Sequence, residues 1–385
     1  MKNFKKMRVV IATHEATTGP AHDVRDFLKD KVAELLFIAH PLLFIPANYK
    51  RSSYYEKYLP GKPVKRSQAR HWQGPEVMLY VKDLIYTIFW TIRNGGADIF
   101  IGSGNLSAFA GVILKKLRVV DKVVFYCIDY VPERFANPHV NRLYHWVDRL
   151  ACAGADITWN LSPRMADGRN SRWERSLGRQ VTLPIGVHFN RIHRLPLDQI
   201  HHAEIVYLGT LLEKQGVQLV IGALTKIASQ IPNLHFLVIG SGPYEEQLKE
   251  LTKQKGVEAL VTFAGYVEDH QQVEEMMARG AVAVALYNKE VDQFSYYADP
   301  SKVKNYLAAG LPVIITDVPY IAQEIVQKKA GIIVEYQEEQ MVDAILGLLK
   351  DPRELAKYRQ NAVNFARDFD WDVLLTKAFA ELVKN

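Results

Sequence analysis

Asp299-Pro300-Ser301-Lys302-Val303-Lys304-Asn305-Tyr306-Leu307-Ala308-Ala309-Gly310-Leu311-Pro312-Val313-Ile314-Ile315 carries the signals of a helix start, a helix stop and a following strand in one run. Asp299 is a favourable N-cap and Pro300 a favourable first helical residue, so the pattern predicts a helix that starts there. Val303, Tyr306, Leu307 and Gly310 recur at steps of three and four, which makes one apolar face. Gly310 is expected just past the helix end, with Pro312 beyond it and a buried strand over Val313 to Ile315. This is a helix feeding a strand, with its polar start aimed at whatever the sheet binds. Unpaired N–H groups, the positive dipole end, Ser301 and Lys302 together suit an anion. An ordinary crossover helix with a capped start has the same local chemistry.

The same alternation spreads outward. In the second half, strands are expected near 204–208, 235–239, 260–264, 281–287, 312–316 and 331–335, with helices between them and after them. In the first half, strands are expected over 8–13 and 34–38 and near 97–102, 122–128, 155–160 and 181–185. Strands alternating with helices in both halves predict an α/β protein of two doubly wound, Rossmann-like domains facing a cleft. The length of 385 residues fits two domains. Residues 190–199 lose all periodicity and read as a linker. Ligands of such sheets sit outside the carboxyl ends of the strands.

Two further turns in the second half follow strands and open helices. Gly209 to Val217 holds Thr210, Lys214, Gln215 and Gly216; a glycine there admits close approach by a phosphate, and Lys214 is placed to pair with it. Ile239-Gly240-Ser241-Gly242-Pro243 has the same logic but lacks the third glycine of a dinucleotide fingerprint. Tight βα turns with no ligand remain the competing reading for both.

In the first half, Asp129 follows a strand in Cys127-Ile128-Asp129-Tyr130-Val131-Pro132-Glu133-Arg134, where catalytic carboxylates often stand; a cap or a salt bridge to Arg134 is the bland alternative. His14 and His22 flank the Gly19-Pro20 turn after the first strand, where an imidazole can move a proton near neutral pH, or serve structure alone. Residues 44–75 interleave tyrosines with Lys50, Arg51, Lys62, Lys65 and Arg66, a mixture suited to a headgroup layer or a single-stranded nucleic acid, with a solvated excursion of packed tyrosines as the bland alternative. Met78 to Arg93 is apolar nearly all round, which means burial or an interface: a core helix is the first reading and membrane contact the alternative. In the helix near 137–152, Val140, Leu143, Val147, Leu150 and Ala151 are the expected core stripe.

Composition narrows the class. Hydrophobic content of 48% and charged content of 23% are those of a globular protein. Residues 1–195 hold 30 Lys and Arg against 16 Asp and Glu, and residues 196–385 hold 18 against 26. A basic half points to a phosphate-rich partner or a solvated surface. No secretory leader is visible before the first strand, and Cys127 and Cys152 read as buried thiols of a reducing compartment. Asp368-Phe369-Asp370-Trp371-Asp372 reads as a helix start with an anchoring Trp371, and no metal site is expected.

At this point the second half resembles the GT-B glycosyltransferases of the family 4, or group 1, type. The matching pieces are Ile205 to Val217, Leu237 to Pro243, Phe263-Ala264-Gly265-Tyr266-Val267 and Pro300 to Ile314. Val181 to Val187 resembles the segment before the interdomain linker, and Phe369 to Asp372 resembles the family's last helix, which crosses back to the first domain. Asp129 to Phe135 looks like bacterial polysaccharide-assembly members. The resemblance implies an acceptor domain over 1–190, a nucleotide-sugar domain over 200–366 and a returning helix over 367–385. It implies donor contacts from Gly209, Thr210, Lys214, Gly240, Gly242, Tyr266, Asp299, Ser301, Lys302 and Asn305. The family's diphosphate-binding Arg falls on Thr210, its Lys on Gln215, and its paired glutamates on Tyr297 and Asn305.

The expected activity is transfer of a sugar from a nucleoside diphosphate to a lipid-linked or saccharide acceptor, with retention and without metal or cofactor. Asp129 and His22 are the expected acceptor-side catalytic residues. Gly19, Lys50, Arg51, Lys62, Lys65 and Arg66 are expected to meet the acceptor or an anionic membrane surface, with no nucleic acid partner. The expected place is cytoplasmic, peripheral on the inner face of the membrane. A non-catalytic binding protein and a nucleotide-sugar epimerase are the alternatives.

Overall fold

The computed structural model describes residues 4–15, 18–42, 51–291 and 293–383. The chain divides into two compact units, one of residues 1–184 with 374–385 and one of residues 185–373.

The first unit runs β1 (Arg8–Thr13), α1 (Pro20–Leu28), β2 (Glu34–Ala39), β3 (Tyr54–Leu59), β4 (Lys62–Gln68), α2 (Glu76–Arg93), β5 (Ala97–Ser103), α3 (Asn105–Lys116), β6 (Val120–Cys127), α4 (Pro138–Gly154), β7 (Ile157–Asn160), α5 (Pro163–Arg172) and β8 (Gln180–Thr182). Its sheet has the order β4-β3-β2-β1-β5-β6-β7-β8. The expected parallel sheet is therefore mixed: β3 and β4 form an antiparallel hairpin on its edge, turning at Pro60-Gly61. The central strands β1, β2, β5 and β6 are buried on both faces and accordingly read as continuous apolar runs.

The second unit runs β9 (Glu204–Leu208), α6 (Val217–Ala228), β10 (His235–Ile239), α7 (Glu245–Lys255), β11 (Val261–Gly265), α8 (His270–Ala278), β12 (Val282–Ala285), α9 (Gln293–Tyr297), α10 (Ser301–Ala308), β13 (Val313–Thr316), α11 (Ile321–Gln327), β14 (Gly331–Val334), α12 (Glu338–Leu349) and α13 (Pro352–Ala366). All its strand pairs are parallel, in the order β11-β10-β9-β12-β13-β14. The last helix, α14 (Trp371–Val383), begins in the second unit and ends in the first. There Phe379 packs its ring on Phe4, Phe27 and Trp159 at 5.6, 5.9 and 5.3 Å.

Helix α10 ends as its sequence predicts. Gly310 has φ +82°, the Leu311 N–H donates to the Tyr306 carbonyl and the Gly310 N–H to the Leu307 carbonyl. That pair of bonds is a Schellman stop, which needs a residue free to adopt positive φ. Its start differs from expectation. Pro300 occupies the N-cap position, Ser301 is the first helical residue, and Asp299 caps nothing. The Asp299 carboxylate instead accepts from the Ile185 N–H at 2.7 Å and meets the Lys304 ammonium, buried with it inside the unit. Burial pushes the Lys304 pKa down to about 7, against the opposing charge of Glu324.

Two helices of the first unit are turned relative to their sequence reading. The buried side of α4 is Asn141, His145, Asp148, Ala151 and Cys152, while Val140 and Leu143 face outward. The cause is Arg169, fully buried on α5. Its guanidinium grips Asp148 through Nε at 2.7 Å and Nη2 at 3.2 Å, and reaches Asn160, Gln180 and Cys127 besides. A buried cation needs that many acceptors, so α4 rolls its polar side inward. In α2 the buried set is Leu79, Lys82, Asp83, Thr87, Trp90 and Thr91, and one apolar face is exposed. It is not the all-round core helix expected.

The energetic ranking is correspondingly inverted. Asp148→Ala is expected to destabilise by about 3–5 kcal/mol, because it strands a buried guanidinium, and Leu143→Ala by about 0.5 kcal/mol or less. Urea unfolding of the two variants checks this, and the opposite order would restore the apolar stripe as the core side.

Candidate functional site

In the second unit the strand order reverses between β9 and β12, since β9 leads to β10 on one side and β12 to β13 on the other. The carboxyl ends of β9 and β12 therefore diverge, leaving a crevice. Lys302, in the first turn of α10, puts its ammonium there. Nζ lies 4.6 Å from the ring centre of Tyr207 on β9 and 4.9 Å from that of Tyr287, just beyond β12. It donates to Gln215 Oε1 at 2.5 Å. Gln215 lies in a single 3-10 turn, Glu213–Gln215, closed by Gly216 at φ +73°. Gly209 faces the same ammonium: a Cβ built on it would stand 3.7 Å from Nζ, and its φ of +141° excludes most other residues.

Gly240 and Gly242 have a structural reason. A Cβ on Gly240 would sit 2.0 Å from the Gly209 carbonyl oxygen, and one on Gly242 would sit 2.3 Å from the Leu211 carbonyl oxygen. They let the β10 turn pack on the β9 turn and so fix the crevice floor. Thr210 and Ser301 are exposed, Asn305 is half-buried in the middle of α10, and Lys214 sends its ammonium to within 5.7 Å of the Phe294 ring. Tyr266, after β11, is 76% exposed. Of the ten expected donor residues, the structure thus gathers Gly209 and Lys302 directly, with Gly240 and Gly242 behind them. Asp299 is spent on Ile185 and Lys304.

The first unit reverses between β1 and β5. His14, just past β1, spans that point: its Nδ1 lies 3.3 Å from Ser107 Oγ on α3, and its Nε2 lies 3.6 Å from Asp83 Oδ2 on α2. Asp83 is fully buried. Its Oδ1 also meets His40 Nδ1 at 3.1 Å, Ser53 Oγ at 2.9 Å and Lys82 Nζ at 2.7 Å. Burial pushes the Asp83 carboxyl up, but hydrogen bonds and charge from His14 and His40 win and hold it far below the carboxylate range. Sequence reading missed Asp83 and His40. The available signal was a Lys-Asp pair inside an apolar run, together with histidines at the ends of β1 and β2.

Asp129 stands past the end of β6. One carboxylate oxygen pairs with the Arg134 guanidinium, and the other is buried with no hydrogen-bond partner among the described residues. Glu15, also missed, has its pKa raised to about 7 by burial and then by the charges of Asp23 and Asp129. Its Oε2 lies where a Cβ of Gly19 would stand, at 2.0 Å, so Gly19 makes room for that carboxyl at the start of α1.

His22 does not serve as expected. It is buried on α1, its ring packs on Phe37 at 4.9 Å, and burial, ahead of repulsion from Arg25, lowers its pKa to about 4. A ring kept neutral inside the unit is a poor proton acceptor for a substrate, so this expectation is corrected. Arg51, Lys62, Lys65 and Arg66 are exposed on and before the hairpin, and Lys50 lies outside the described residues. Among the described residues no three His, Cys, Asp or Glu side chains gather as a metal-binding group.

Residues 200–366, which contain the Lys302 crevice, match the family described as "Glycosyl transferases group 1". The chain is 22% identical over 317 residues to the alpha-D-kanosaminyltransferase of Streptomyces kanamyceticus, covering 72% of this chain and 76% of that one. It is 26% identical over 184 residues to a D-inositol 3-phosphate glycosyltransferase of Corynebacterium efficiens, covering 46% of this chain and only 42% of that one. Among solved structures, Anabaena Alr3699/HepE in complex with UDP-glucose aligns with a TM-score of 0.72 at 14% identity, over 98% of this chain and 100% of that one. The sucrose-phosphate synthase from Thermosynechococcus elongatus aligns with a TM-score of 0.69 at 16% identity, over 98% and 100%. The fold is GT-B, two Rossmann-like domains, as the sequence resemblance implies.

The His22 environment carries a pH signature. The folded ring titrates near 4 and the unfolded one near 6.5, so stability present above pH 6.5 is lost as pH falls towards 4. Wild-type protein is expected to lose roughly 2–3 kcal/mol more than His22→Leu between pH 7 and pH 4.5. Chemical denaturation at the two pH values measures it, and parallel losses would contradict a buried neutral ring.

Proposed function

We propose that this protein transfers a sugar from a nucleoside-diphosphate sugar to a hydroxyl of a saccharide or lipid-linked acceptor. The observation that carries the reading is the Lys302 ammonium at the β9/β12 reversal, beside Gly209, inside the segment that matches the group 1 family. The sugar's C1–O bond to the diphosphate breaks as the acceptor oxygen bonds to C1, and the hydroxyl proton passes to the departing diphosphate. The leaving diphosphate gains charge in that step, so a cation fixed at its position stabilises the transition state more than the ground state. Lys302 supplies this charge, with the exposed N-terminus of α10 behind it. Gln215, where the family's lysine falls, holds the Lys302 amine in place, so this chain's cation comes from α10 rather than from the β9 turn.

Alr3699/HepE, which shares this fold, forms a complex with UDP-glucose, and the relatives from Streptomyces and Corynebacterium are named as glycosyltransferases; both support a nucleotide-sugar donor here. On the acceptor side, Asp129 offers a carboxylate with one oxygen unengaged among the described residues, and orients the attacking hydroxyl. We read the transfer as retaining and independent of metal, as the family resemblance implies.

Lys302→Ala is expected to weaken UDP binding about tenfold or more, since a charge-assisted hydrogen bond is lost. Titration calorimetry decides it, and unchanged affinity would remove Lys302 from the donor site. Asp129→Asn is expected to slow transfer about a hundredfold while leaving UDP affinity unchanged. Chromatography of products from a panel of nucleotide sugars with saccharide acceptors gives the rates. Binding without turnover across that panel would favour a non-catalytic role, and an altered sugar still joined to its nucleotide would favour an epimerase.

A further inference from the structure

Helix α2 exposes what its sequence suggests it should bury. Val77, Met78, Val81, Ile85, Phe89 and Ile92 are each 46–64% exposed, and from Met78 onward they follow at three- and four-residue steps along one face. The opposite face is occupied by the Asp83 network and Trp90, so α2 has no freedom to turn its apolar side inward. Helix α3 packs against both α2 and α4, and α4 exposes Val140, Leu143 and Trp146 in turn. Exposed apolar chains repeated on neighbouring helices exceed the scattered leucines of an ordinary surface.

The charge around this face is one-sided. Residues 62–93 contain six Lys and Arg against two Asp and Glu. Lys82 and Asp83 are buried on each other at 2.7 Å. That leaves Lys62, Lys65, Arg66, Arg70 and Arg93 exposed against Glu76 alone, with Trp72 exposed among them. The hairpin adjoins the helix from its Trp90 side: the Lys65 ammonium lies 6.0 Å from the Tyr55 ring, which packs on Trp90 of α2 at 5.3 Å.

We propose that the outer face of α2, with the β3–β4 hairpin beside it, docks on an anionic lipid bilayer. The aliphatic side chains enter the boundary between headgroups and acyl chains, and the lysines and arginines meet lipid phosphates. No described helix is long and apolar enough to cross a membrane, so the contact lies in the interface plane. A second copy of the chain fits poorly, because a two-fold contact through this face would set like basic rims against each other. A nucleic acid would use the basic rim but gain nothing from six aliphatic and aromatic chains on one stripe. The docking does not depend on the transferase reading, and its test needs no sugar donor.

The test is co-sedimentation with phosphatidylcholine vesicles, with and without phosphatidylglycerol, for wild type, Ile85→Glu with Phe89→Glu, and Lys62→Glu with Lys65→Glu. All four positions are exposed, and far-ultraviolet circular dichroism checks that each variant is folded. Wild type is expected to bind the anionic vesicles and to bind pure phosphatidylcholine far less, with each double variant weaker by at least about tenfold. Absence of wild-type binding to anionic vesicles would overturn the proposal. So would binding that the α2 pair leaves unchanged, since charge alone would then explain it. Light scattering that shows a dimer dissolved by Ile85→Glu with Phe89→Glu would assign the face to a second copy and also overturn it.

Discussion

One ammonium group, that of Lys302, stands where two parallel strands part. Around it the second unit arranges two tyrosine faces, a glutamine oxygen and a glycine with no side chain. A cation beside aromatic faces keeps its charge at modest cost, because ring quadrupoles replace part of its lost water. The supporting geometry is strict. Gly240 and Gly242 bring one turn against the next, the Tyr306 hydroxyl bonds the Leu208 backbone, and the Schellman stop at Gly310 fixes the far end of α10. The proposed transfer chemistry needs a charge that does not move when the diphosphate leaves, and this packing supplies that rigidity.

The first unit follows a different logic. It buries ionic networks around Asp83 and Arg169 and exposes aliphatic side chains on α2 and α4. Buried ions demand full complements of partners, and the helices that carry those partners orient accordingly. The apolar side chains displaced outward then become available to something other than the core. One physical constraint, the cost of an unpaired buried charge, thus accounts for both inverted helices.

Which features could be read from the chain follows from the range of the interactions behind them. The central strands of both sheets show as apolar runs, because burial on two faces leaves no other composition possible at Val9 to Ala12 or Ile205 to Tyr207. The end of α10 is legible because a Schellman stop is local. Its start is not, because the Asp299 partner Ile185 lies 114 residues away. Val140 and Leu143 mimic a core stripe only while Arg169 is out of view. His22 looks like a sheet-edge proton carrier because it follows Gly19-Pro20, but one turn of helix carries it onto Phe37. Asp83 stays hidden because His14, His40 and Ser53 reach it from three separate segments.

In the proposed reaction a diphosphate takes its place beside the Lys302 ammonium. A crystal structure of the protein with UDP bound tests it most directly. A phosphate oxygen is expected about 3 Å from Lys302 Nζ, with the Gln215 side chain still alongside. A nucleotide bound elsewhere, with no phosphate oxygen near Lys302 Nζ, would contradict it.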